Sequence, residues 1–252
     1  MELKIGNILN KDKKAIGPRN NRPGRFAVYY APTPFSELHS LGSAWLGRDS
    51  ITGKIIEQPS VFGITSERLS ELTKIARHYG FHATFKPPFQ LKYGTKLTLL
   101  KQTLRQVCRD VSPFCIKLDV RRLGTFFALM LSKPNPNIQS LAEIIVREID
   151  AFREPITKEE LAIRRSKGLT PPQDKNLITW GYPYLFSEFQ FHMTLTGKIQ
   201  LSKERTVIYD ALQRHFSELL NKNIKIEYVC LFHQTNRQAP FFLVDQFKLG
   251  LK

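Results

Sequence analysis

The chain has 252 residues, 42% of them apolar and 11% aromatic, and a formal net charge of +16. That composition supplies a substantial core and excludes a disordered chain, and no apolar run approaches the roughly 18 residues of a membrane helix. The charge proposes an anionic partner without choosing one, since any polyanion or phosphorylated ligand is attracted to such a surface. Residues 1–24 are rich in charge, Gly and Pro and contain no secretory apolar core. They are expected to form a basic, flexible N-terminal extension, with 25–252 as a single bilobal domain whose lobes line one cleft. Cys108, Cys115 and Cys230 are odd in number and set in apolar surroundings, which predicts free buried thiols and a cytoplasmic location. A monomer is expected.

In chain order, the run from Arg25 to Ala31, closed by Pro32 and Pro34, predicts a buried strand. Ser66 is a candidate N-cap for a helix reaching His78, with Gly80 as its stop. Then comes a repeat. Phe81–Lys86 predicts a strand, followed by a helix near Leu97–Arg109 and strands at Phe114–Val120 and Thr125–Leu131. Phe191–Gly197 predicts a second such strand, followed by a helix near Lys203–Leu220 and strands at Ile224–Phe232 and Phe241–Phe247. Order, element type and a 110-residue offset agree in both halves, as expected of a duplicated unit. Between them lie helices near Ile138–Phe152 and Thr157–Lys167 and a turn-rich region, Gly168–Tyr184. The predicted class is α+β, with duplicated antiparallel sheets, helices on the outside and a pseudo-two-fold.

Each repeat opens on Phe-His-apolar-Thr-apolar. Residues i and i+2 of a strand share a face, so His82 projects with Thr84 and His192 with Thr194, while Ala83 and Met193 turn to the packed side. Two imidazoles and two hydroxyls converging on one point suit a phosphodiester. One histidine takes a proton from the attacking oxygen, the other gives one to the leaving oxygen, and the threonines hydrogen-bond the non-bridging oxygens. A third His-x-Thr, His233–Thr235, lacks the apolar residues that follow in the other two and reads as incidental. Lys86, Tyr184 and Arg25 are candidate substrate-binding residues beside these pairs.

The paired motifs His82-Ala-Thr84 and His192-Met-Thr194 resemble those of the 2H phosphoesterase superfamily, which includes 2′,5′-RNA-ligase-like and cyclic phosphodiesterase enzymes. Stretches such as Gly42–Asp49, Tyr79–Phe89, Leu169–Pro172 and Trp180–Tyr184 are similar to its uncharacterised branch associated with phosphonate-utilisation operons. The resemblance covers roughly residues 25–250. It implies a bilobal α+β fold, no metal or cofactor, and His82, Thr84, His192 and Thr194 as catalytic residues. The function it points to is a metal-independent phosphodiesterase acting on a small cyclic or 2′,5′-type phosphodiester, such as a sugar cyclic phosphate. The alternatives are an RNA 2′,5′- or 2′,3′-cyclic end-processing enzyme and a non-catalytic module binding phosphate or RNA.

Other chemistries find no support. His78 and His82 have a helical spacing used in zinc sites, but Gly80 interrupts any helix there and no further ligand completes the set. There is no P-loop, dinucleotide glycine pattern or nucleophile elbow. Arg164, Arg165 and Lys167 read as a solvated helix face, with a phosphate patch as the alternative.

Overall fold

The computed structural model describes residues 24–250, so the anticipated extension lies outside the described residues except for Gly24. Strand β1 (Arg25–Tyr30) is buried on both faces, as its unbroken apolar run requires. It is followed by α1 (Glu37–Leu46), α2 (Ser66–Tyr79), β2 (Ala83–Phe89), α3 (Leu97–Arg109), β3 (Phe114–Ile116), β4 (Leu118–Leu123) and β5 (Phe126–Leu131). Then come α4 (Pro136–Ile149), α5 (Lys158–Arg165), α6 (Pro171–Trp180), β6 (His192–Thr194), α7 (Ser202–His215), β7 (Ile224–Ile226), β8 (Tyr228–Gln234) and β9 (Phe242–Lys248).

The strands form one seven-stranded sheet in the order β4-β5-β6-β2-β1-β8-β9, every neighbouring pair antiparallel, with β3 and β7 as a separate ribbon. The two halves therefore share a continuous sheet. Ala83 pairs with Met193 where β2 meets β6, and Cys115 pairs with Lys225 where β3 meets β7. Both pairs join residues related by the 110-residue offset, so one pseudo-dyad passes through both junctions.

The dyad is imperfect in one respect. The sequence pattern matches β5 to β9, yet β9 lies at the outer edge of the sheet, and β1 occupies the place beside β2 that β5 occupies beside β6. Tyr29 pairs with Thr84, and Ala128 pairs with Thr194. Tyr29 and Ala128 are thus spatial equivalents.

One face of the sheet carries the main core. Leu38 and Trp45 of α1, Leu72 of α2, Leu104 of α3, Ile145 of α4 and Leu212 of α7 pack with strand residues such as Phe85 and Met193. Burying each such side chain is worth roughly 1.5–3 kcal/mol. Trp45 Nε1 also donates to the Leu195 carbonyl at 3.0 Å, fixing α1 over the chain just past β6. The opposite face holds a smaller cluster of Ala27, Tyr29, Ala31, Cys230, Phe232, Phe241 and Leu243.

Four local expectations are corrected, the first being the cap of α2, which is Thr65 and not Ser66. Helix α6 fills most of the region read as turns: Thr170 caps it through a reciprocal pair of bonds with Gln173, and Pro171 and Pro172 occupy its first turn, where proline is tolerated. Helix α1, capped by Ser36 and ended by Gly47, was not anticipated. Cys108 and Cys230 are buried, but Cys115 is exposed, because it sits on the outer side of the short β3 ribbon.

Candidate functional site

The site grows from the β2–β6 junction. With Ala83 opposed to Met193 and both packed in the core, His82, Thr84, His192 and Thr194 turn to the other face. His82 then lies across from Thr194 and diagonal to His192. Diagonal partners on antiparallel strands stand roughly 7–8 Å apart at Cα, a span that one tetrahedral anion can bridge.

Both imidazoles are anchored in the same way. His82 Nδ1 donates to the Gly80 carbonyl at 2.9 Å, and His192 Nδ1 donates to the Gln190 carbonyl at 2.7 Å. The two acceptors are themselves related by the repeat offset. Committing Nδ1–H to a carbonyl leaves Nε2 as the basic atom of each neutral ring. His82 Nε2 accepts from the Thr84 hydroxyl at 3.1 Å.

Burial disfavours the charged form of both rings. It pushes His82 down to about 4, helped by the nearby His192 and opposed by the Gly80 bond. Burial likewise lowers His192, against the raising effect of the Gln190 bond.

The surroundings of the two histidines differ. The Tyr29 ring stacks on His82, centroids 3.8 Å and planes 27° apart. At the equivalent place beside His192 stands Ala128, and the nearest ring, Phe126, is tilted with its centroid 6.1 Å away. Tyr79, the last residue of α2, has its centroid 6.3 Å from His82 and stacks on Phe241 at 5.3 Å.

The other candidate residues fare unequally. Arg25 lies on this wall: Nε and Nη2 donate to Gln234 Oε1 at 2.8 and 2.5 Å, and the guanidinium sits 5.6 Å over Phe241. Tyr184 is 45% exposed and stands edge-on to Tyr182 at 5.6 Å. Lys86 is not brought to the histidines. The register of β1 on β2 shifts between Val28–Lys86 and Tyr29–Thr84, and that bulge turns Lys86 toward the packed face occupied by Val28. There the ammonium is wholly buried and contacts Asp150 Oδ1 at 2.5 Å. Burial lowers its pKa to about 8 despite that partner.

Tyr29, Gly80 and Gln190 escaped the sequence reading. Tyr29 sits in a strand outside the repeat, so its equivalence to Ala128 left no trace in the spacing. Gln190 was findable, because it precedes His192 by the interval that separates Gly80 from His82. Among the described residues no group of three His, Cys, Asp or Glu is placed to hold a metal ion, and no helix is long and apolar enough to cross a membrane.

A family model described as "Protein of unknown function (DUF1045)" matches residues 84–242. Two curated relatives carry the name ribose 1,5-bisphosphate phosphokinase PhnN. The chain is 38% identical to that of Janthinobacterium sp. (strain Marseille) over 77% of its own length and 43% of the relative's. It is 32% identical to that of Laribacter hongkongensis (strain HLHK9), over 69% and 40%. It thus spans less than half of these curated relatives. Among solved structures it is similar to E. coli LigT complexed with NADP+, at 10% identity and a TM-score of 0.41, covering 90% of this chain and 98% of that one. It is also similar to TT0787 of Thermus thermophilus, at 13% identity and a TM-score of 0.45, covering 90% and 98%.

Proposed function

The chain belongs to the DUF1045 family, and from that premise we propose that it is a phosphodiesterase opening a small cyclic phosphodiester, with His82 and His192 as its acid–base pair. The carrying observation is the symmetric anchoring of the two imidazoles, Nδ1 on Gly80 and Gln190, which turns both Nε2 atoms to one face.

In the proposed reaction, water attacks phosphorus in line with the ring ester oxygen that leaves. One Nε2 takes the water proton as the new P–O bond forms, and the other, protonated, gives its proton to the departing alkoxide. The ring P–O bond breaks and a phosphomonoester results. Thr194, and Thr84 once the bound substrate takes the place of His82 Nε2 as its acceptor, donate to the non-bridging oxygens, where negative charge accumulates. Both rings are driven toward neutrality by burial, so the acid must gain its proton when the anion binds and restores the charged form.

A pentose cyclic phosphate is the favoured substrate class. The curated relatives bear a name that makes ribose 1,5-bisphosphate a substrate, and this sequence has no P-loop with which to run a kinase of that type. Opening a 1,2-cyclic phosphate on ribose 5-phosphate at the O2 side would yield ribose 1,5-bisphosphate. Such a hydrolysis fits the phosphonate-breakdown setting that the sequence resemblance suggests. The charge of +16 keeps cyclic RNA ends as the second reading.

The test is hydrolysis of a panel of sugar and nucleotide cyclic phosphates by the purified protein in EDTA. His82→Ala and His192→Ala should each cost about 10²–10⁴-fold in rate. Turnover that survives both substitutions refutes the mechanism, and a preference for RNA ends over sugar phosphates selects the second reading.

A further inference from the structure

Among the described residues two arginines, Arg25 and Arg164, have no carboxylate partner. Arg25 is half-buried, and its side-chain bonds go to the neutral amide of Gln234. Arg164, the seventh residue of α5, is half-buried with its guanidinium 5.5 Å over the Tyr182 ring. Among the described residues neither forms an ion pair. Arg165, the next residue, behaves as a solvated helix arginine should: it is exposed and grips Asp174 with two bonds of 2.7 and 2.9 Å. The pair Arg164–Arg165 therefore diverges, one to a carboxylate and one to a ring. A guanidinium stays charged at every working pH, and withdrawing it from water without a counter-ion is unfavourable, a penalty that a neutral ring offsets only in part.

The ground between these arginines is phenolic. Tyr29 is fully buried and, among the described residues, its hydroxyl has no hydrogen-bond partner, an uncommon state for a buried donor. It lies within electrostatic reach of Arg25, Tyr79 and Tyr182. Tyr182 is in turn within reach of Arg164, Tyr184 and Tyr79. Arg25 and Arg164 are thus linked through Tyr29 and Tyr182, and Tyr29 is the ring stacked on His82. The pseudo-dyad does not reproduce this on the His192 side, where Ala128 takes the place of Tyr29.

We propose that Arg25 and Arg164, with the Tyr182 hydroxyl between them, form a second anion subsite beside His82, so that the substrate carries a phosphomonoester in addition to its diester. Arginine meets a terminal phosphate with paired, charge-assisted bonds, which gives orientation as well as attraction. One phosphate held at this wall sets the scissile diester across the two imidazoles in a single direction, a polarity that two nearly equivalent histidines cannot impose alone. The proposal rests on the phosphodiesterase reading above, and its test separates the two.

The measurement compares kcat/KM for a nucleoside 2′,3′-cyclic phosphate with that for its 5′-phosphorylated form. The parent protein should prefer the doubly phosphorylated substrate by about tenfold or more, and Arg25→Gln or Arg164→Gln should each lower that ratio by about tenfold. Loss of turnover in His82→Ala speaks to the phosphodiesterase reading alone. Binding without turnover is read separately, by calorimetry of ribose 5-phosphate on the His82→Gln/His192→Gln protein. Saturable binding weakened about tenfold by either arginine change supports the subsite even if neither cyclic substrate is cleaved. Equal rates on the two substrates, a ratio that both arginine variants leave intact, or no saturable ribose 5-phosphate binding overturns it.

Discussion

The phenol ring of Tyr29 lies against the imidazole of His82 with 3.8 Å between centroids. Its face presents negative quadrupole density to a ring that must become cationic if it is to exchange protons with substrate. The stack therefore opposes the burial that pushes His82 down to about 4. Tyr29→Leu should lower the His82 pKa further, read from its imidazole resonances in an NMR titration, and move the acidic limb of any pH–rate profile the same way. Tyr29→Phe keeps the stack, so its titration should stay close to the parent's. It also removes a buried hydroxyl that has no partner among the described residues, so its stability in urea should equal or exceed the parent's by up to about 1 kcal/mol. Equal His82 titrations in the leucine and phenylalanine variants would show that the ring only fills space.

Acid should unfold this protein through its imidazoles. Burial lowers the pKa of His39, His78, His82, His192 and His215, so the native state binds protons less readily than the unfolded chain, whose imidazoles titrate near 6.5. Between that value and the lower native ones the unfolded state holds more protons, so stability falls as pH drops through the window, which for His82 extends to about 4. Urea midpoints measured from pH 7.5 to 4.5 should decline steadily, and His82→Gln should flatten the curve. Inorganic phosphate should counteract the effect by raising the pKa values of His82 and His192 together. Phosphate that leaves both titrations unmoved argues against an anion seated between them.

The parts of this molecule that obey a period were legible in its sequence. The two Phe-His-apolar-Thr strands, the helix after each and the 110-residue offset all follow from alternation and duplication, and they place four side chains on one face. What stayed hidden depends on long-range pairing. The insertion of β1 between β2 and β8 puts Tyr29, and not a residue of the second half, beside His82. A one-residue shift at Phe85 reverses the side to which Lys86 points, although strict alternation assigns it to the site. The Leu169-Thr-Pro-Pro172 stretch reads as a turn by composition, yet Thr170 and Gln173 form a reciprocal cap and the prolines sit where helices begin.

Lys86 and Asp150 form a structural ion pair, and breaking it from either end should have unequal results. Asp150 also receives Arg153 at 2.9 Å and keeps that partner in Lys86→Met. Lys86, by contrast, is wholly buried and has no second carboxylate among the described residues, so Asp150→Ala strands an ammonium. Chemical denaturation at pH 7 should find Asp150→Ala destabilised by about 3 kcal/mol or more and Lys86→Met by about 1 or less. The aspartate variant's deficit should shrink as pH rises, because the stranded amine sheds its proton more readily than the native one, already lowered to about 8. A Lys86→Met protein that loses phosphate binding while staying folded would return this residue to the site.

Gly80 joins stability to chemistry at one position. It ends α2 at φ 84° and ψ 174°, a region that side chains other than hydrogen rarely enter. A Cβ there would stand 2.4 Å from the Cβ of buried Ser50, and the Gly80 carbonyl is the atom that holds His82 Nδ1. Gly80→Ala must therefore suffer backbone strain of about 1–3 kcal/mol, together with a clash relieved only by moving the histidine's anchor. Gly94→Ala supplies the comparison: its φ is 78°, but nothing lies within 4 Å of the added methyl. Both variants should melt below the parent, and only Gly80→Ala should lose activity beyond its unfolded fraction. Ser50→Gly introduced into Gly80→Ala removes the clash while leaving the strained φ, so it should restore part of the activity and less of the stability. Parallel losses of activity in the two alanine variants would mean that strain alone, and not displacement of the Gly80 carbonyl, accounts for the effect.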